Sequence, residues 1–343
     1  MSKGPACEVV DDRRQGSARI ESSAVVVGRL CMGDGSMLAE GTVVRSTGDG
    51  VEIGTGSFVL ENSVVVGTAA MPTVVGRRSV FGHRCMVVGA TVGDLCEIGN
   101  ASILMPGATI GDRVFLGEGT LVPAGAMLPS DVVAVGRPAR IVRRASEADL
   151  ERLRGLRGGD LSLPPVTSID VEANTEAGTM GQLYDYRGIV PSIAESAVLF
   201  DSAEVTGDVV IGERSIIGAG VKIIGDSHGP VRIGADVQIL ENTVLHLLPD
   251  NELVLDDGVV IGPGAMIHGC HIGRGTVVEP GAIVCDGSSV GAGSVVRAGA
   301  VVKQRATFGD GVDIDGFPAK EIGRLDSPPP KPAWAFDIGE LPR

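Results

Sequence analysis

The feature that most limits what this chain can fold into is a six-residue period. From Val75 onward, large or branched apolar residues recur at Phe81, Val87, Val92, Ile98, Leu104, Ile110, Leu116 and Val122, six apart with a single step of five. Four places after most of them stands a small or β-branched side chain: Ser79, Cys85, Cys96, Ser102, Ala108, Val114, Thr120 and Ala126. Neither an amphipathic helix nor an alternating strand has this period, but a coil of three short flat sides does. The apolar residue fills the interior, the small residue lets each corner close, and Gly, Asn and Asp accept the positive φ of tight corners. Stacked coils then pair their backbones as parallel ladders around an aliphatic column. Aromatics at only 3% and 51 glycines suit that thin, regular interior.

The series occurs twice. Ile261, Ile267, Ile272, Val278, Val284, Val290, Val296 and Val302 each lie 180 residues beyond a counterpart between Phe81 and Val122, and the five-residue step recurs at Ile267 to Ile272. Ile53-Gly54 maps onto Ile233-Gly234, Glu61-Asn62 onto Glu241-Asn242, and the Pro-Ala block at Gly136–Arg140 onto Gly316–Lys320, with no gap needed. A tandem duplication follows. The predicted fold is all-β: two tandem parallel β-helix domains at 20–145 and 191–325. An N-terminal segment covers 1–19, a short helix and linker cover 146–190, and a Pro-rich tail covers 326–343. Ser146 is the predicted N-cap of that helix, which is expected to cap the open end of the first column. The linker from 158 is expected to have little structure, and Trp334 and Phe336 of the tail are expected to dock, with the other domain as one seat.

Charge and cysteines bound the partners. A net charge of −14 argues against a nucleic-acid backbone or an anionic membrane surface. The six cysteines form no CxxC pair and no dense disulfide framework, and the N-terminus carries no apolar leader, so a cytoplasmic protein is expected.

Two stretches go beyond a generic six-residue solenoid: Pro72 to Gly93 with its Gly82-His83, and Glu241-Asn-Thr-Val-Leu-His246 followed by His268-Gly-Cys270. Together they resemble the gamma-class carbonic anhydrase family, over roughly 20–145 and 190–325. The resemblance implies a left-handed coil and three metal-binding histidines, the middle one supplied by a neighbouring subunit. The matching slots are Val66, His83 and Val88 in the first copy and His246, Pro263 and His268 in the second. Neither copy holds a full set, but the two are complementary. A first domain beside a second would complete one site of His83, His246 and His268, suited to Zn²⁺ or to Fe²⁺ or Co²⁺. Three neutral imidazoles and an open position are the ligand set of a catalytic zinc, which activates water at neutral pH. The resemblance also implies a small-molecule substrate and a homo-oligomer assembled through the β-helix faces.

Against the family pattern, the Arg and Asp expected two residues apart read as Arg45 and Thr47 in the first copy and Gly225 and Ser227 in the second, with Asp226 one place off. Arg45 reads either as a brace across an interface or as a solvated arginine. The Gln-Asp pair before the first histidine becomes Leu60-Glu61 and Leu240-Glu241. Glu241 reads as an orienter of a histidine ligand or as a corner carboxylate, and Val66, Val88, Leu60 and Leu240 would line an apolar wall. The predicted activity is a metal-dependent hydratase, lyase or hydrolase acting on a small metabolite, with CO₂ or bicarbonate one candidate and Glu241 and Arg45 as its catalytic groups. Two alternatives stand beside it. An acyltransferase would take coenzyme A and use His228, in Asp226-Ser-His228-Gly, as base; a non-catalytic scaffold subunit would have lost its ligands. His271, at a corner, reads as structural or solvent-facing.

Overall fold

The structure is a computed structural model that describes residues 18–174, 180–226 and 228–336. Residues 1–17 of the N-terminal segment, 175–179 of the linker, Ser227 and the tail beyond 336 lie outside the described residues. Two compact units divide after Asn174. Each is a left-handed parallel β-helix with its own aliphatic column.

The period of six becomes three strands per coil. In the second unit one coil runs through Val260–Ile261, Met266–His268 and His271–Ile272. Successive side chains of a strand point to opposite faces, so Ile261, Ile267 and Ile272 turn inward and are fully buried. The five-residue step is the short turn Gly269-Cys270 between two of these strands. Every residue of both apolar series lies in its unit's core. Each buried aliphatic contributes about 1.5–3 kcal/mol, offset by the entropy of ordering its coil.

Corners use positive φ, as at Asn62 (+58°) and its counterpart Asn242 (+54°). They also use it at Arg78, Arg84, Arg113, Arg214 and Arg305, where composition alone predicts no left-handed residue. In the first unit Val43–Ile53 bends round a corner, its first half paired to Val64–Thr68 and its last residues to Thr73–Val75.

Register corrects the duplication in one place. Val26 and Val44 of the first column correspond to Val205 and Ile223 of the second, a spacing of 179, whereas Ile53 and Ile233 are 180 apart. The extra residue lies in the turn between Asp226 and Val231, which is one longer than the turn between Thr47 and Val51.

The segments that follow each β-helix depart most from expectation. Helix α1 (Glu147–Leu156) begins at Ser146, and Asp149 closes a reciprocal capping box. It does not close the column's end: the next residue, Arg157, donates to the carbonyl of Arg78 at 2.8 Å and pairs with Glu97 on coils in mid-column. From there the chain returns toward the first coil, so part of the predicted linker is ordered. Arg78 holds Asp160, Arg77 donates to the Pro164 carbonyl, and Thr167 meets Thr55 and the amide of Asp34. Ile169–Val171 pairs antiparallel with Leu30–Met32, and the Asn174 side chain takes the amide of Val26 (2.7 Å) and donates to the carbonyl of Ala24 (2.9 Å).

The tail docks on its own unit. Phe336 is buried and stacked on Phe200 with ring centroids 5.3 Å apart, and Gln238 brackets its backbone amide and carbonyl. Gln238 is the counterpart of Phe58, which stays exposed and lines a cleft with Leu156 and Pro164 of the segment that follows the first β-helix. In both copies the segment that follows the β-helix thus folds back toward the same ladder.

Candidate metal centre

His246 and His268 end adjacent parallel strands, Val244–His246 and Met266–His268, and are register partners. Leu245 and Ile267 point into the column beside them, so alternation turns both imidazoles outward. Their rings are half-buried, 5.6 Å apart by centroid and nearly perpendicular. Rigid ladder strands thus hold the pair. One coil further on, Asp286 Oδ2 lies 3.2 Å from His268 Nδ1, while Asp286 Oδ1 accepts the amide of Leu248 at 2.9 Å. A carboxylate fixed in this way sets the ring's orientation and leaves Nε2 as its other ligand atom.

On the other side of His246 lies the turn that carries the extra residue. His228 Nδ1 is 3.4 Å from His246 Nε2, Asp226 Oδ1 is 3.1 Å from His228 Nδ1, and Asp226 Oδ2 is 3.8 Å from His246 Nε2. Asp226, His228, His246, His268 and Asp286 therefore form one column of donors along the second unit. Sequence reasoning set His228 aside for another chemistry and did not name Asp286. The usable signal was coil spacing, since His228 and Asp286 each lie 18 residues from a predicted ligand.

The corrected register also moves the Arg–Asp comparison. Strand pairing places Arg45 beside Val27 and Val66, and Gly28 beside Ser46 as Gly207 is beside Gly225, so Ile224 rather than Gly225 is the counterpart of Arg45. Asp226 then stands at the position of Thr47, not one place off. The solvated reading of Arg45 is also overturned, because it is among the largest fully buried side chains. Glu241 is fully buried at its corner, where its carbonyl accepts the amide of Gly264 at 2.8 Å.

His83 belongs to the first unit, at an exposed corner with Nδ1 2.7 Å from Glu61 Oε2. In that unit the counterparts of the histidine pair, Val66 and Val88, are register partners and fully buried. His271 sits on a different ladder, exposed, with Nε2 3.1 Å from Asp256. Cys85, Cys96 and Cys270 are buried packing residues. A cleft of about 660 Å³ lies elsewhere, on the first unit between Phe58, Val80, Leu156 and Pro164. Its arginines, Arg78 and Arg157, are paired to Asp160 and Glu97 and fasten the returning segment.

A three-sided parallel solenoid of six-residue steps defines the class: this chain belongs to the hexapeptide-repeat β-helix proteins. No family model matches it. Over 96 residues it is 38% identical to a carbonic anhydrase of Geobacillus kaustophilus, a match covering 28% of this chain and 52% of that protein. Over 86 residues it is 41% identical to the uncharacterized transferase YtoA of Bacillus subtilis, covering 25% and 50%. The chain spans about half the length of the curated relatives it matches. Among solved structures it is similar to a putative acetyltransferase of Bacillus cereus, at 35% identity over 43% of this chain and 85% of that one, with a TM-score of 0.42. The names of its relatives include carbonic anhydrase, transferase and, for matches in Escherichia coli at 32% identity over 95 residues, carnitine operon protein CaiE.

Proposed function

We propose that this protein is a metal-dependent enzyme of carbonic-anhydrase-like type, a hydratase, lyase or hydrolase acting on a small metabolite, with CO₂ or bicarbonate among the candidates. His246 and His268 are the two ligands at its centre and His83 of a first unit is the third. The observation that carries this reading is the register pair His246–His268 with Asp286 behind the second ring. Two imidazoles on rigid strands, one oriented by a carboxylate, fit Zn²⁺ or a similar borderline ion such as Fe²⁺ or Co²⁺. When bound, the ion supplies a Lewis acid that activates water at neutral pH.

The chain's own residues supply the rest. Asp286 fixes the His268 ring, and Leu245 and Ile267 anchor both histidine strands in the column. Glu241 is assigned the orienting of a histidine ligand and Arg45 a bracing role; burial of the Arg45 guanidinium supports a structural contact over a solvated one. The acyl-transfer reading has the transferase-named relatives in its favour. It would use His228 Nε2 as the base with Asp226 on Nδ1; what favours the metal reading is that His228 Nδ1 also lies 3.4 Å from His246 Nε2, so three donor residues converge.

The test is turnover by the full chain, stripped with a chelator and reloaded with Zn²⁺, Fe²⁺ or Co²⁺, in CO₂ hydration and in hydrolysis of small esters. Metal-dependent turnover that falls about 10–100-fold in Asp286→Asn is expected. Acetyl transfer from acetyl-coenzyme A that is indifferent to chelation would overturn the reading in favour of the acyltransferase.

A further inference from the structure

We infer that Asp226 and His228 are metal ligands, and that with His246 they hold a divalent cation within the second unit itself. The inference deepens the proposed function and rests on His246 being a ligand. Its starting point is distance. Around a tetrahedral ion with bonds of about 2.0–2.1 Å, neighbouring donor atoms stand about 3.3–3.4 Å apart. The His228 Nδ1 to His246 Nε2 separation is 3.4 Å, and the two Asp226 oxygens lie 3.1 and 3.8 Å from those nitrogens. One donor atom from each of the three residues falls within 4.8 Å of the others. All three side chains are half-buried, so each is partly desolvated.

The turn that presents these two residues is built, not incidental. It is the place where the second copy is one residue longer than the first, whose corresponding Gly48-Asp49-Gly50 has no histidine. Asp226 Oδ1 accepts the amide of His228 at 2.9 Å, fixing the turn from within. Gly229, at φ +153°, lies so close to the next coil that a Cβ there would stand 2.0 Å from the carbonyl oxygen of Asn251. Only glycine permits that approach. Two imidazoles and one carboxylate select a borderline ion such as Zn²⁺ or Co²⁺ over Mg²⁺ or Ca²⁺. Retention of the ion then resides in the second unit, while His83 governs turnover.

The experiment is equilibrium titration of the metal-stripped full chain with Zn²⁺ against a chromophoric chelator, and with Co²⁺ followed by its visible absorption. Asp226→Asn and His228→Ala are each expected to weaken binding at least about tenfold and to change the cobalt spectrum. His83→Ala is expected to weaken binding less than either of these and to lose turnover, and His271→Ala, on another ladder, to change neither. Thermal unfolding of each stripped variant checks that it folds. Wild-type affinity in both Asp226→Asn and His228→Ala would overturn the inference, as would loss of binding in His83→Ala as severe as in His246→Ala. Absence of hydratase or hydrolase turnover in an ion-loaded chain whose affinities follow the expected order would sink the proposed function and leave this inference standing.

Discussion

At the scale of single residues, the histidines show how far pattern reading reaches. His246 and His268 were legible as partners because strands of adjacent coils bring them side by side, and register confirms it. Asp226 was not, because a one-residue insertion in its turn shifts the comparison between copies, and only strand pairing locates the shift. Arg45 was ambiguous for a similar reason: its strand position is visible in the sequence, but its burial depends on neighbours from other coils. The cysteines were legible as packing, and their chemistry follows. Burial pushes the thiols of Cys85 and Cys96 up to about 12, and burial followed by the charge of Asp286 pushes Cys270 up as well. Thiolate is the reactive form. In the native chain near pH 8, iodoacetamide should therefore label these three far more slowly than in the unfolded chain. Peptide mapping by mass spectrometry reads this, and fast native labelling of Cys270 would contradict its packing role.

At the scale of elements, the coils were legible and the segments between and after them were not. A six-residue repeat names its own interior positions, whereas α1, the returning segment and the tail carry no repeat and bind through isolated contacts. Ser146 was readable as an N-cap, but nothing local says that Arg157 meets Arg78 and Glu97. Nor does the polar run after 158 announce an antiparallel strand against Leu30–Met32. Among the tail's contacts are the stacking of Phe336 on Phe200, the two hydrogen bonds to Gln238 and the burial of Trp334. Removing a buried aromatic ring costs about 3–5 kcal/mol, more than so short a segment can lose and stay docked. Phe336→Ala should accordingly raise amide exchange across 326–336 with no change in the coil strands. Unchanged protection of the tail would show that Trp334 and Gln238 suffice to hold it.

At the scale of the whole molecule, duplication has produced two columns with the same coil plan and different surfaces. The first keeps Arg45 and His83 and fills the places of the histidine pair with Val66 and Val88; the second keeps Asp226, His246 and His268 and replaces the counterpart of His83 with Pro263. Interior positions tolerate only size-conserving change because close packing penalises both voids and overfilling. Outward positions on the same strands are free to diverge, and there the copies have separated. On the proposed reading, the second column's donor ladder holds a divalent ion. The most direct measurement is the Zn²⁺ content of the full chain after metal stripping, reloading and removal of free ion, beside the double variant His246→Ala/His268→Ala. About one equivalent per wild-type chain and almost none in the variant is expected. Equal content in the two, whether high or near zero, would contradict it.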